Sequence, residues 1–284
     1  VRDIASLALG QTNGELRRLS VEEESLLLAN SISPVPLHKC LVLRDAILGM
    51  PPSAMRNIEL LALAFVAVFS ASNLKFGPEV GVGRTRKHDA PVLDAWWAKV
   101  NEMAADLKEF SSRLYVASEC VLGDARSIAE SLPANSVDAV ITSPPYPNEK
   151  DYTRTTRLET VLLNFAGSKR DLRALKQNLV RSNTRNVYRS DDDDLSISHN
   201  EKIVGIAREI ERRRIALNKD SGFERLYHRV TTLYFGGMRR HLEQLKGPLK
   251  PGAKLAYVVG DQASYLRVLI RTGELLADIA HELG

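Results

Sequence analysis

Residues 137–146 read VDAVITSPPY, a short run of mostly apolar and β-branched residues that ends in a serine, two prolines and a tyrosine. The run Val137–Thr142 predicts a buried strand of a parallel sheet, because both faces of such a strand are apolar. Pro144 and Pro145 have no amide proton, so the strand must end before them. Ligands of α/β sheets bind at the carboxyl ends of strands. The corner is therefore a candidate binding site, and the alternative is a Pro-Pro loop with a surface tyrosine.

Segments on both sides of this corner also favour a sheet. Upstream, Cys120–Leu122 predicts a strand that ends at Gly123-Asp124, and Ala125–Leu132 predicts a helix. Downstream, Pro251-Gly252 predicts a turn and Leu255–Val259 a second buried strand. A strand, a helix and a further strand form a βαβ unit, the building block of a doubly wound sheet. The expected fold class is therefore α/β.

The rest of the chain is mostly helical in its periodicity. Ser20-Val21-Glu22-Glu23 has the pattern of a capping box at the start of a helix. The aperiodic segment 181–200 predicts a long mobile loop. Further helices are predicted at about 55–70, 90–110, 202–217, 222–245 and 272–283. These patterns divide the chain into a helical region, 1–115, and an α/β domain, 116–284, with a mostly helical insertion at 150–249.

Composition is that of an ordinary globular protein, with 44% hydrophobic and 26% charged residues among 284. The longest apolar stretch, Ile58–Phe69, contains Glu59 and is too short to span a membrane. The first residues lack the pattern of a signal peptide. Two cysteines form no CxxC pair, and six histidines show no metal-ligand spacing. We therefore expect a cytoplasmic protein with no metal and no membrane partner.

Positive charge is concentrated after the SPPY corner. Between Lys150 and Arg240 there are 20 Lys and Arg against 12 Asp and Glu, although the net charge of the whole chain is only +4. An excess of this kind is typical of a phosphate-binding surface. Solvated helix faces explain most charge runs, and that explanation is preferred for Arg212-Arg213-Arg214.

The chain resembles the amino-group DNA methyltransferases in three segments taken together: the predicted strand that ends in Gly-Asp, SVDAVITSPPY and the later LKPGAKLAYVVGD. These enzymes methylate N4 of cytosine or N6 of adenine with S-adenosylmethionine as the cofactor. The resemblance covers residues 118–284. The T-S-P-P-Y form is most similar to the cytosine-N4 members, and adenine-N6 activity stays open. This resemblance implies a Rossmann-like methyltransferase sheet and a double-stranded DNA partner. Whether a cognate restriction endonuclease accompanies the protein stays open.

The resemblance also implies roles for individual residues. Ser143 and the carbonyl of Pro144 are the implied acceptors for the exocyclic NH2 group, with Pro145 stiffening the corner. Acceptors at this place stabilise the positive charge that develops during methyl transfer. Tyr146 is expected to stack on the base, which must be flipped out of the duplex.

Asp124 is the implied cofactor-binding residue, as acceptor for the adenine amino group of S-adenosylmethionine. The alternative is that Asp124 caps the helix that follows it. Among the arginines after the corner, those placed to contact DNA phosphates are Arg154, Arg157, Arg181, Arg185 and Arg189.

One element of the family pattern is missing. The family binds the methionine part of the cofactor with a strand-borne Phe-x-Gly-x-Gly loop, and this chain has none in that context. Gly81-Val82-Gly83 lies in a loop rich in Arg and Lys and is rejected as a substitute. The sequence is therefore expected to be a fragment whose glycine-rich half lies before Val1, or is supplied by another polypeptide. Two alternatives remain: a methyltransferase of RNA or of a protein amide, and a catalytically inactive DNA-binding derivative.

Overall fold

A computed structural model describes residues 1–10, 15–77, 79–113, 115–147, 151–261 and 265–284. Their internal contacts divide the chain into two compact units, each discontinuous in sequence. Unit 1 consists of Val1–Glu119 and Tyr152–Ala174, and unit 2 of Cys120–Asp151 and Leu175–Gly284. The predicted insertion at 150–249 thus contributes residues to both units.

The described residues of unit 1 are mostly helical, with one short antiparallel ladder in which Leu74–Lys75 pairs with Gly81–Val82. Its core surrounds the buried side chains of Leu43, Leu63 and Trp96. The predicted capping box is confirmed: Glu23 N–H donates to Ser20 Oγ, and Ser20 N–H donates to Glu23 Oε2. The elements are α1 (Arg2–Gly10), α2 (Val21–Leu26), α3 (Pro34–Leu48), α4 (Ala54–Val66) with a π-helical extension (Ala67–Ala71), β1 (Leu74–Lys75), β2 (Gly81–Val82), α5 (Val92–Glu109) followed by a 3-10 helix (Phe110–Arg113), α6 (Tyr152–Thr155) and α7 (Arg157–Leu162).

The helical run Ala54–Ala71 is longer than the apolar stretch that the sequence delimits. Among the described residues it is the one helix long and apolar enough to cross a membrane by length and composition. A third of it is buried against unit 1, including Ala62, Leu63 and Val66. Core helices of water-soluble proteins meet the same criterion, so the run is weak evidence for a membrane span.

Unit 2 combines helices with one two-stranded parallel sheet. The chain enters the unit within α8 (Lys169–Gln177), and the core surrounds Ile210, Tyr234 and Phe235. The elements that follow the coil at 115–124 are a 3-10 helix (Ala125–Glu130), β3 (Val137–Thr142), two more 3-10 helices (Thr184–Asn186 and Asp193–Ile197), α9 (Glu201–Ala216), a further 3-10 helix (Glu224–Leu226), α10 (Tyr227–Leu245), β4 (Leu249–Tyr257) and α11 (Thr272–Leu283).

The parallel sheet pairs the two segments that the sequence predicts as buried strands. Ala139–Thr142 pairs in register with Lys254–Tyr257, and the register shifts before Ala139. The predicted turn at Pro251-Gly252 lies inside β4 and coincides with this register shift. Gly252 adopts the left-handed region at φ +80°. A glycine is favoured there because it has no Cβ to clash.

The predicted strand Cys120–Leu122 is wrong. These residues are coil, and Leu122 is 96% exposed. The side chains of this segment are exposed and do not pack on the sheet. Asp124 caps the helix that follows. That element is a 3-10 helix with non-helical dihedrals at Ser127, rather than the predicted α-helix Ala125–Leu132.

One face of the parallel sheet carries exposed apolar side chains. Ile141 is 83% exposed and Val258 60% exposed, and Ala139 and Ala256 are also exposed. The prediction that both strands are buried is therefore wrong for this face. Parallel sheets normally bury both faces under helices. The described residues thus give a mixed fold of helices and small sheets, and a Rossmann-like sheet remains a prediction.

Candidate active site

The SPPY corner leaves the sheet where β3 and β4 end together. Thr142 pairs with Tyr257, and the Val258 N–H donates to the Thr142 carbonyl at 2.9 Å. Both strands are parallel, so their carboxyl ends share one edge. The predicted catalytic residues Ser143, Pro144, Pro145 and Tyr146 therefore lie at the edge where α/β sheets bind ligands.

The hydroxyl group of Ser143 is oriented by the hydrogen bond that it donates. Its side chain is exposed, and its hydroxyl donates to the Val258 carbonyl at 3.2 Å. The Tyr146 hydroxyl lies 3.4 Å from Ser143 Oγ. A serine hydroxyl has a single proton and two lone pairs. Because the proton is directed to Val258, the Tyr146 hydroxyl is the donor in the contact with Ser143 Oγ. One lone pair of Ser143 is then left to accept a hydrogen bond from a ligand.

The two prolines and Tyr146 are half-buried, so the corner is supported by the protein but remains accessible. Neither prolyl nitrogen can donate a hydrogen bond. The polar groups that this backbone offers are accordingly carbonyl oxygens. The four residues of the corner suit a flat ligand with an amino group. The Ser143 hydroxyl and the carbonyls can accept hydrogen bonds from the amino group, and the phenol ring can stack on the flat face.

Asp124 takes the capping role at the start of its 3-10 helix. Its Oδ1 accepts hydrogen bonds from the Arg126 backbone N–H and side-chain Nε, and its Oδ2 accepts from Nε and Nη2 at 2.6–3.1 Å. Burial raises the pKa of Asp124, but hydrogen bonds from Arg126 outweigh this effect and the net pKa is lowered. An ionised carboxylate has about four lone-pair sites, and Arg126 contacts both of its oxygens.

Arg126 links this turn to the acidic run at 191–194. Its Nη1 donates to Asp193 Oδ2 at 2.6 Å, and Arg240 Nη1 donates to Asp193 Oδ1 at 2.7 Å. Asp193 is only 1% exposed. A buried carboxylate needs such partners, since an unpaired buried charge is costly. These groups line a polar cavity of about 240 Å³ beside Asp124.

The segment 181–200 is packed against unit 2, contrary to the mobile loop that its aperiodic sequence predicts. Ser182, Asn183, Asn186 and Asp193 are buried. The 3-10 helix that contains Asp193 lies so close to α10 that a Cβ on Gly236 would come within 1.9 Å of the Asp193 carbonyl. Ion pairs and this close approach fix the segment.

The predicted phosphate-binding arginines of this segment differ in exposure. Arg181 is 2% exposed and pairs with Asp191 at 2.8 Å, and it also donates to backbone carbonyls of Lys176 and Gln177. Arg185 and Arg189 are exposed. Their exposure keeps Arg185 and Arg189 candidates for contact with a phosphate, although the Arg185 guanidinium also lies over the Phe223 ring at 5.7 Å from its centroid.

Arg154 and Arg157 belong to unit 1. Arg154 is partly exposed and lies 3.4 Å from the Glu79 carboxylate. Arg157 is tied to its surroundings, because it donates to the carbonyls of Thr153 and Leu26 at 2.7 and 3.1 Å. Arg154 is therefore ion-paired with a carboxylate, whereas Arg157 is held by backbone carbonyls.

Sequence reasoning missed two residues, one beside the SPPY corner and one beside Asp124. His241 on α10 lies 2.6 Å from the Tyr257 hydroxyl at the end of β4, and Arg126 ties Asp124 to Asp193. His241 follows the sequence GGMRR, residues 236–240, on a helix, where no spacing marks it. The signal for Arg126 was present, as a basic residue two positions after a capping aspartate.

The sequence is similar to known methyltransferases over about half of its length. It is 30% identical over 156 residues to the Type II methyltransferase M.AvaI of Nostoc sp. (strain PCC 7120) and to the protein of the same name from Anabaena variabilis. The matched region covers 52% of this chain and 30% of each relative. No family model and no solved structure matches the chain.

Among the described residues, no group of three or more His, Cys, Asp or Glu side chains is arranged to hold a metal ion. The polar groups at the corner are instead a hydroxyl, carbonyls and a phenol. They can accept hydrogen bonds and stack, which is what group transfer to an aromatic amine requires of the acceptor side.

Proposed function

We propose that this chain carries the base-binding part of a DNA methyltransferase that acts on an exocyclic amino group, with cytosine N4 favoured over adenine N6. The similarity to the Type II methyltransferase M.AvaI over half of the chain supports methyl transfer. The observation that carries the proposal is the donor contact of Ser143, which leaves its oxygen as an acceptor at the carboxyl edge of β3.

Such an acceptor has a chemical purpose on an aromatic amine. The lone pair of the NH2 group is delocalised into the ring, so the amine is a poor nucleophile. Hydrogen bonds from the NH2 group to Ser143 Oγ and to the Pro144 carbonyl favour a tetrahedral nitrogen and stabilise the charge that develops on it. Tyr146 stacks on the base and holds it outside the duplex. Catalysis by these residues is mainly positioning.

S-adenosylmethionine is the proposed methyl donor, but the described residues do not form its whole site. Asp124 offers a carboxylate for the adenine amino group, and Arg126 already engages both of its oxygens. Among the described residues, none covers the face of the sheet at Ile141 and Val258, which supports the proposal that the site is incomplete. We infer that a further polypeptide segment with a glycine-rich loop completes the cofactor site.

DNA is the proposed partner because the exposed side chains of Arg185 and Arg189 lie in the basic part of the chain, together with the partly exposed Arg154. A restriction endonuclease that recognises the same site remains part of the proposal. The second candidate function is a DNA-binding derivative without activity. The engagement of Asp124 by Arg126 favours it, because the cofactor acid is then not free to bind.

Methyl transfer to DNA by the full-length gene product separates these functions. The product is incubated with DNA and labelled S-adenosylmethionine, and the modified base is identified by sequencing. Ser143→Ala and Tyr146→Ala should each remove most of the methylation and leave thermal stability unchanged. Ser136→Ala, which alters an exposed serine before β3, is the matched control.

Four outcomes are informative. Methylated cytosine or adenine that is lost in both variants supports the proposal. Turnover near that of the wild type in both variants would show that the corner is not catalytic. DNA binding without any methylation would favour the inactive derivative, and transfer to RNA or protein alone would favour the other substrate class.

A further inference from the structure

One buried histidine connects the two parts of the proposed site. His241, on α10, is 7% exposed. Its Nδ1 lies 2.9 Å from the carbonyl oxygen of Ala125, and its Nε2 lies 2.6 Å from the Tyr257 hydroxyl. One side chain therefore joins the turn after Asp124 to the end of β4.

The partners determine the direction of these hydrogen bonds. A carbonyl oxygen can only accept, so Nδ1 of His241 carries the proton and donates to Ala125. Nε2 is then the acceptor for the Tyr257 hydroxyl. Burial lowers the pKa of His241 and raises the pKa of Tyr257 to about 12, so both groups are neutral near pH 7. The result is a chain of two hydrogen bonds with a fixed direction.

Each end of this chain is one residue away from the proposed site. Ala125 directly follows Asp124, and Tyr257 directly precedes Val258, whose carbonyl accepts the Ser143 proton. Tyr257 is also the register partner of Thr142, the last residue before the corner. A shift of Tyr257 would therefore move the contact that orients Ser143.

We propose that His241 is a positioning residue that fixes the Asp124 turn relative to the Ser143 corner through Ala125 and Tyr257. The inference rests on the proposed function, in which the Asp124 turn contacts the cofactor and Ser143 contacts the base. Transfer between two bound molecules depends on their separation, and a misplacement of about 1 Å can reduce the rate by roughly a hundredfold.

The coupling itself can be measured without any activity. Tyr257→Phe removes one hydroxyl from β4, and amide hydrogen exchange is then followed by NMR at Arg126 and Ser127, whose N–H groups bond to Asp124. Exchange at these two amides should be faster by roughly tenfold, the equivalent of one hydrogen bond. His241→Asn should have a similar effect, and the double variant should add little. Tyr115→Phe and His88→Asn, at exposed positions, are the controls.

The ring nitrogens of His241 give an independent readout. Their ¹⁵N shifts should report a neutral imidazole with the proton on Nδ1, and Tyr257→Phe should leave that tautomer in place. A proton on Nε2 would contradict the direction of the chain. Unchanged exchange at Arg126 and Ser127 in both variants would overturn the coupling, whatever the activity of the protein.

Kinetics of the full-length gene product test the positioning role. The kcat of Tyr257→Phe and of His241→Asn should be lower than that of the wild type by roughly tenfold or more. It is measured well below the melting temperature of each variant, so that unfolding does not contribute. The KM for DNA should stay within about twofold, because the Ser143 corner still binds the base. An unchanged kcat in active protein would contradict positioning. If the wild type transfers no methyl group, the proposed function fails, and the exchange experiment alone decides the coupling.

Discussion

At the scale of single residues, the packing of Gly236 shows how closely the segment 181–200 is bound. The carbonyl of Asp193 occupies the place where any other residue at position 236 would have its Cβ. The same stretch puts the Asp193 carboxylate between Arg126 and Arg240. The close approach of the Asp193 backbone to Gly236 and the ion pairs of the Asp193 side chain therefore depend on each other.

We expect Gly236→Ala to lower the free energy of unfolding by about 3 kcal/mol or more, because either α10 or the backbone of Asp193 must move. Gly205→Ala is the matched control, since Gly205 lies within α9 and a Cβ there meets nothing within 4 Å. That change should be neutral or stabilise by up to about 1 kcal/mol. Chemical denaturation of both variants measures the difference, and equal stabilities would disprove the close approach.

Residues whose role is local were the most predictable from sequence. The capping box at Ser20 and Glu23 depends on four neighbouring residues, and its contacts are those expected. The tie between Arg126 and Asp193 spans 67 positions, so no local pattern reveals it. Asp124 is intermediate, because its cap is local while a cofactor contact depends on a ligand.

At the scale of elements, an apolar β-branched run and strong helical periodicity identified β3 and α11 with their bounds. The second predicted strand, Leu255–Val259, overlaps β4 only in part, because β4 begins at Leu249 and ends at Tyr257. Cys120–Leu122 failed because a three-residue apolar run becomes a strand only when a neighbour pairs with it and buries it. The aperiodic segment 181–200 failed for the opposite reason. Buried polar contacts and ion pairs hold it, and hydrophobic periodicity does not register them.

The packing of that segment decides which of its arginines can bind DNA. Arg189→Ala should make the salt dependence of DNA affinity shallower by about one unit if Arg189 contacts one phosphate. Arg181→Ala should instead destabilise the fold, because it leaves Asp191 buried without its ion-pair partner. Titrations of DNA at several salt concentrations, with thermal melts of each variant, measure both effects. A shallower slope for Arg181→Ala alone would reverse this assignment.

At the scale of the whole molecule, each unit contains one buried histidine whose neutral ring makes hydrogen bonds. In unit 1, His38 Nδ1 accepts from the Arg17 N–H at 2.9 Å. Burial lowers the pKa of His38, and the positive charges of Arg17 and Lys39 lower it further. In unit 2, burial lowers the pKa of His241. Protonation of either ring would disrupt a contact that the fold uses.

Stability should therefore fall on acidification. The folded state favours the neutral rings, so their contribution is complete above the unfolded pKa of about 6.5 and is lost as the pH falls from there through the lowered folded values. Each histidine changes the free energy of unfolding by at most about 1.4 kcal/mol per pH unit. Denaturation between pH 7.5 and 5 should show this loss, and His38→Gln with His241→Asn should flatten it. A stability that rises toward pH 5 would contradict the lowered pKa values.

The strands and the Asp124 turn together predict how this chain behaves toward S-adenosylmethionine. The described strands form two sheets of two strands each, and the carboxylate of Asp124 is engaged by Arg126. A charge-assisted hydrogen bond contributes only about 1.5–3 kcal/mol, whereas micromolar affinity needs about 8 kcal/mol. Calorimetric titration of residues 1–284 should therefore show weak binding or none, and the full-length gene product should bind. Micromolar binding by residues 1–284 would mean that they already hold a complete cofactor site, and that Arg126 releases Asp124 when the cofactor enters.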